Sequence, residues 1–135
     1  MTYILDTNAV SALMKGQAAV VKRLAATARA DVAVPQPVLA EIAFGIERLP
    51  RSKRRTALQA RFDLISAELP RAEWSDAVSH AYGRIKAILE RLGTRIEDFD
   101  AAIAAHAVAF DATLVTANID HMTRVPGLQV DDWTE

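Results

Sequence analysis

Three carboxylates stand where an acid is costly. Asp6 ends the apolar run Tyr3-Ile4-Leu5. Glu41 has Pro37, Val38, Phe44 and Gly45 three and four places away and Ala40 and Ile42 beside it, all apolar. Asp100 opens the stretch Ala101-Ala102-Ile103-Ala104-Ala105. An ionised carboxylate on an apolar face needs compensation from an arginine, a hydrogen-bond cluster or a metal ion. Taken singly, each acid has an ordinary reading. Asp6 and Asp100 fit helix caps, with Asp98 competing for the second cap role. Glu41 fits a structural pair with one of the arginines. Taken together, three acids from distant points of the chain, on elements expected to be buried, converge only around a cation. All-oxygen ligation suits Mg²⁺, with Mn²⁺ as the alternative. Zinc fits less well, because His80, His106 and His121 show no paired ligand spacing.

The same chain carries a concentrated basic stretch. The formal net charge of −1 is the sum of two unlike parts. Residues 1–96 carry 15 Lys and Arg against nine acids, whereas residues 97–135 carry one Arg against eight acids. Residues 48–61 hold six cations and no acid. An acidic metal cluster beside such a stretch points to phosphodiester chemistry. The cation polarises a phosphoryl oxygen and makes hydroxide available from water near neutral pH, while Lys and Arg hold the nucleic-acid backbone. Arg48, Arg51, Lys53, Arg54 and Arg55 are the candidates for contacts with RNA or a partner; the plain alternative is a solvated helix face. Competing chemistries lack their signatures. There is no Gly-x-Ser-x-Gly elbow and no Gly-rich Lys-Ser/Thr phosphate loop. With no cysteine, disulfides, thiolate zinc sites and cysteine nucleophiles are excluded.

The elements that must position these acids follow from periodicity. At 135 residues and 51% hydrophobic, the chain fits one globular domain over residues 1–135. No apolar run approaches the ~18 residues of a membrane span. The opening residues lack the basic and apolar regions of a secretory signal, which leaves the cytoplasm as the expected location. Strands are expected at residues 3–5, 32–34, 113–116 and 127–130. Helices are expected at 9–15, 18–30, 37–49, 52–68, 74–92 and 99–110. The helix at 52–68 turns Leu58, Phe62, Ile65 and Leu69 inward, and the one at 99–110 is apolar nearly all round and therefore buried. Short apolar strands alternating with helices predict an α/β fold with a parallel sheet. In such sheets the site lies beyond the carboxyl ends of the strands, where Asp6 falls.

These residues resemble a known family. Ile4-Leu5-Asp6-Thr7-Asn8, then Glu41, then Glu97-Asp98-Phe99-Asp100-Ala101-Ala102-Ile103-Ala104-Ala105-His106-Ala107 resemble PIN-domain ribonucleases. Thr113-Leu114-Val115-Thr116 and the closing Val125-Pro126-Gly127-Leu128-Gln129-Val130-Asp131-Asp132-Trp133 resemble the VapC toxins within them. The resemblance covers nearly the whole chain. It implies a three-layer α/β/α domain around a short-stranded parallel sheet, and a Mg²⁺-dependent endoribonuclease that leaves a 5′-phosphate and a 3′-hydroxyl. It places Asp6, Glu41 and Asp100 on the metal-binding positions. It gives Asn8 and Thr116 the role of supporting the first aspartate by hydrogen bonds. Asn118 falls where many members carry a fourth acid; its neutrality weakens the case for a second metal, although Asp98 or Asp120 could contribute. The implied partners are RNA, tRNA among the targets, a VapB-type antitoxin whose C-terminal segment lies along a groove, and a second copy of the chain. Phe62, Ile65 and Tyr82 could face such a partner, with plain core packing equally expected.

Two other functions fit parts of the pattern. One is a PIN-like binding module that acts mainly by completing a DNA-binding repressor complex with its antitoxin. The other is a phosphatase with Asp6 as nucleophile, against which stands Asn8 where a second aspartate is expected.

Overall fold

The computed structural model describes residues 2–135. Five parallel strands stand in the order β3-β2-β1-β4-β5. They are β1 Tyr3–Leu5, β2 Val32–Pro35, β3 Arg71–Ala72, β4 Thr113–Val115 and β5 Val130–Asp131. Seven α-helices flank them: α1 Thr7–Met14, α2 Ala18–Ala25, α3 Gln36–Glu47, α4 Lys53–Glu68, α5 Asp76–Leu92, α6 Asp98–Ala109 and α7 Ile119–Met122. The expected three-layer α/β/α architecture is what forms. Ile4, Leu5, Val32, Val34 and Leu114 are fully buried, as a parallel sheet covered on both faces requires.

Strand order fixes where the site lies. From β1 the chain moves outward to β2 and β3, then returns past β1 to β4 and β5. The winding therefore reverses beside β1, opening a crevice at the carboxyl ends of β1 and β4. The registers Ile4↔Leu114 and Leu5↔Val115 bring those ends level. Asp6 follows β1 and Thr116 follows β4, so the two become neighbours across the crevice.

The helices deliver the other acids. Pro37 sits in the first turn of α3, where its missing N–H costs nothing, and α3 packs on β2. Helix α6 packs on β1, β4 and α5. All of Ala101–Ala107 is buried, as expected for a helix apolar nearly all round. Helix α4 turns Leu58, Phe62 and Ile65 against the core as half-buried groups and ends at the buried Leu69. Tyr82 likewise packs on the core.

Several boundaries differ from expectation, each for a local reason. Helix α2 stops at Ala25, and a 3-10 turn at Arg29–Asp31 replaces its last residues. The Thr27 hydroxyl donates to the Arg23 carbonyl there, a bond that competes with helix continuation. Helix α5 begins at Asp76 because Ser75, not Trp74, caps it by accepting from the Val78 N–H. The last strand forms at Val130–Asp131 instead of 127–130, since Gly127 turns the chain at φ 77°. β3 and α7 were not expected; at two and four residues they are too short to show a period.

The last residues are clasped to the start of the chain. Trp133 is buried and meets Tyr3 edge-on at 5.3 Å. The Arg23 guanidinium lies 5.3 Å from its ring centroid and pairs with Asp131 at 2.8 Å. Trp133 Nε1 also donates to Asp131. No described helix is long and apolar enough to cross a membrane.

Candidate active site

Asp6, Glu41 and Asp100 line one open cleft of about 660 Å³, together with Thr7, Asn8, Ser11, Lys15 and Asn118. The structure thus brings together the three acids singled out by the sequence. Each arrives on a different element: the junction of β1 and α1, the middle of α3, and the first turn of α6.

Asp6 is 2% exposed and the most constrained. It is the N-cap of α1 and accepts from the Thr7 N–H at 2.6 Å. Its other oxygen accepts from the Thr116 hydroxyl at 2.7 Å and from Asn8 Nδ2 at 3.2 Å. Asn8 also donates to Thr116 and accepts from the Ala117 N–H. Asn8 and Thr116 therefore both hold the Asp6 carboxylate by hydrogen bonds. The Asn118 backbone N–H donates to Thr116 Oγ1 at 2.9 Å, which turns the hydroxyl proton toward Asp6. The Asn118 side chain goes elsewhere, bonding His121 Nδ1 at 2.7 Å. Burial pushes the Asp6 carboxyl above its ordinary range, against the pull of its hydrogen bonds from Thr116, Thr7 and Asn8.

Glu41 is half-buried. The apolar face that surrounds it divides: Pro37 and Val38 are buried, but Phe44 is 67% exposed. The face is thus a cleft wall, not core. Thr7 Oγ1 donates to Glu41 Oε1 at 2.6 Å. Sequence reasoning missed this contact, and its only trace was a hydroxyl residue directly after the first acid. Thr7 is pivotal: its N–H holds Asp6 and its hydroxyl holds Glu41.

Asp100 has its carboxyl pushed up to about 6. Desolvation leads, followed by the charges of Asp6 and Glu41; His121 opposes them and Glu97 adds to them. Among the described residues no hydrogen bond lowers it. Asp98, a candidate helper, is committed to Lys86 at 2.9 Å. The N-cap of α6 is Glu97 and makes no side-chain cap bond, while Asp98 and Asp100 both stand in the first turn, where the helix dipole favours an acid.

The donor set fits a hard cation. A carboxylate offers about four acceptor directions, and Asp6 uses three of them. Glu41 has one donor and Asp100 none. Among the described residues no three acids or histidines already stand as a closed ligand cluster. An ion that keeps several waters and takes only one or two carboxylates directly needs no such cage. His106 lies outside the cleft, fully buried, with Nδ1 on the Ala102 carbonyl at 2.7 Å and its ring edge-on to Trp74. Nε2 has no partner, and burial holds its pKa down.

The basic stretch divides in two. Arg55 is tied to Glu47 at 3.1 Å and to the Leu49 carbonyl, and Arg61 to the Met14 carbonyl. Arg55 thus ties the start of α4 to the end of α3. Arg48, resting 5.7 Å from the Phe44 ring centroid, and Arg54 line a groove that adjoins the cleft. Arg51 and Lys53 are exposed at the start of α4.

Comparison with known proteins agrees with this geometry. The PIN domain family matches residues 3–128. The chain is 34% identical over 135 residues to "Ribonuclease VapC2" of Rickettsia felis, covering 98% of each. It is 25% identical over 133 residues to "tRNA(fMet)-specific endonuclease VapC" of Salmonella typhimurium, again covering 98% of each. Among solved structures it is similar to VapBC2 of Rickettsia felis bound to a promoter DNA fragment, with a TM-score of 0.87 and 31% identity over 98% of this chain and 99% of that one.

Proposed function

The chain belongs to the PIN-domain family, and from that premise we propose that it is a metal-dependent endoribonuclease toxin of a VapBC-type pair, built as one PIN domain. The observation that carries the metal-dependent site is the meeting of Asp6, Glu41 and Asp100 in one cleft where, among the described residues, no Lys or Arg side chain pairs with any of them. The relatives named as ribonucleases and as a tRNA(fMet)-specific endonuclease support RNA, tRNA included, as the substrate class. The VapBC2 complex on promoter DNA supports an antitoxin partner, and with it a second role in a DNA-bound repressor assembly. A second copy of this chain completes the proposed assembly.

Asp6, Glu41 and Asp100 would hold the cation, Mg²⁺ or Mn²⁺. When bound, it supplies Lewis acidity at a phosphoryl oxygen and lowers the pKa of water in the cleft. The protein's own part is positional. Thr7 fixes two of the acids from one residue, and Thr116 and Asn8 stop Asp6 from turning into the core. Burial and the charges of Asp6 and Glu41 raise Asp100, and entering positive charge would offset both, so the ionised form is the receptive one. Cations outside the acid cluster hold the RNA backbone.

RNA cleavage by the purified protein, freed of antitoxin, tests this. Cleavage with Mg²⁺, its loss in EDTA, and its loss in Asp6→Asn with the fold intact are expected. Undiminished cleavage by that variant in EDTA overturns the metal mechanism. Absence of RNA cleavage by wild-type protein with Mg²⁺, beside intact antitoxin binding, favours the repressor role alone.

A further inference from the structure

One face of α1 leads away from the acids. Asn8, Ser11, Ala12 and Lys15, spaced by three and four, all line the cleft. Ala9, Val10 and Met14 on the opposite side are buried. The exposed face carries only small or uncharged groups until it ends at Lys15. No other Lys or Arg lines this cleft. Among the described residues Lys15 makes no ion pair. It also lines the adjoining groove with Arg48 and Arg54, so it stands where the acidic cleft turns into a cationic one.

Distance assigns it a task. At ~1.5 Å per residue, Lys15 lies about 12 Å along α1 from Thr7. Helical side chains lean toward the N-terminus, and a lysine reaches a further several ångströms along its flexible stem. The ammonium is then too far to bond a group held between the three acids, yet within reach of the adjoining backbone. The three carboxylates repel a polyanion along this approach, and Lys15 is the charge that opposes them there.

We propose that Lys15 binds an RNA backbone phosphate flanking the reacting one and so sets the register of the strand against Asp6, Glu41 and Asp100. This rests on the ribonuclease reading. Arg48 and Arg54 continue the same track along the groove.

The test uses a fluorescein-labelled single-stranded RNA oligonucleotide of mixed sequence, with Ca²⁺ in place of Mg²⁺. Binding is measured by anisotropy across a salt series for wild type, Lys15→Gln and Lys15→Arg. Loss of one phosphate contact to single-stranded RNA lowers the log–log salt slope by about 0.7. The expected result for Lys15→Gln is that decrease, a several-fold weaker Kd, a KM effect larger than the kcat effect in Mg²⁺, and unchanged Mn²⁺ affinity by calorimetry. Lys15→Arg restores slope and affinity. An unchanged slope in Lys15→Gln beside normal wild-type cleavage overturns the Lys15 assignment alone. So does failed rescue by arginine, or lost Mn²⁺ binding, which marks a structural role. Wild-type protein that neither binds nor cleaves RNA overturns the ribonuclease reading and this inference with it.

Discussion

Asp6 and Asp131 both stand at the carboxyl ends of strands of one sheet, and the protein treats them in opposite ways. Asp131 receives the Arg23 guanidinium at 2.8 Å and the Trp133 indole N–H at 3.2 Å. Asp6 receives a hydroxyl, an amide and a backbone N–H, but among the described residues no positive group. Asp98 repeats the first pattern with Lys86, two residues from Asp100, which repeats the second. At Asp131 and Asp98 a cation stands against the acid. In the cleft three acids are gathered with no ion pair among the described residues, at a cost that the proposed cation would remove.

The clasp and the cleft should therefore respond differently to substitution. Trp133→Ala is expected to cost about 3–5 kcal/mol of stability, measured by urea denaturation, while Mn²⁺ affinity in the folded protein stays within error. Coupled loss of both would erase the distinction. Thr7→Val should do the reverse. Removing the hydroxyl that holds Glu41 is expected to weaken Mn²⁺ binding by about 10–100-fold with little change in denaturation midpoint, and Thr7→Ser should restore it. Calorimetry on the three proteins decides.

Asp100 gives the contrast a pH dependence. The folded protein holds its proton up to about pH 6, whereas an unfolded chain releases it near 3.8. The stability this contributes is full below the unfolded value and is lost as pH rises through 6. In EDTA, Asp100→Asn should be more stable than wild type by about 1 kcal/mol at pH 7.5, after allowance for screening of a half-buried group. That gain should shrink between pH 6 and 4. A constant gain, or a loss, would show that burial of the ionised Asp100 carboxylate, together with repulsion by Asp6 and Glu41, is not its source. The smallest effect is expected at Arg23→Ala, about 0.2–1 kcal/mol for a partly exposed pair, without change in RNA cleavage.

The fold class and the three acids were legible because both rest on local contrast. An acid inside an apolar period, as at Glu41, or at the end of an apolar run, as at Asp6, is visible in one dimension. The roles of Asn8 and Thr116 came from resemblance, since the bonds of Asp6 and Asn8 to Thr116 span more than a hundred positions. Thr7 stayed hidden because its bond to Glu41 spans 34 positions and forms only when α1 and α3 pack together. The ties of Arg55 stayed hidden too, because the turn at residues 48–52 brings Glu47 and the Leu49 carbonyl against it. Contacts made by chain reversal leave no period to read.

The central claim is that Asp6, Glu41 and Asp100 act as one cation site. Calorimetric Mn²⁺ titration of the wild type and of Asp6→Asn, Glu41→Gln and Asp100→Asn, at pH 7.5 without RNA, tests it most directly. The expected result is binding in the wild type and a loss of more than about tenfold in every variant, with folding intact by circular dichroism. Wild-type affinity in any one variant would remove that acid from the site, and wild-type affinity in all three would contradict the claim.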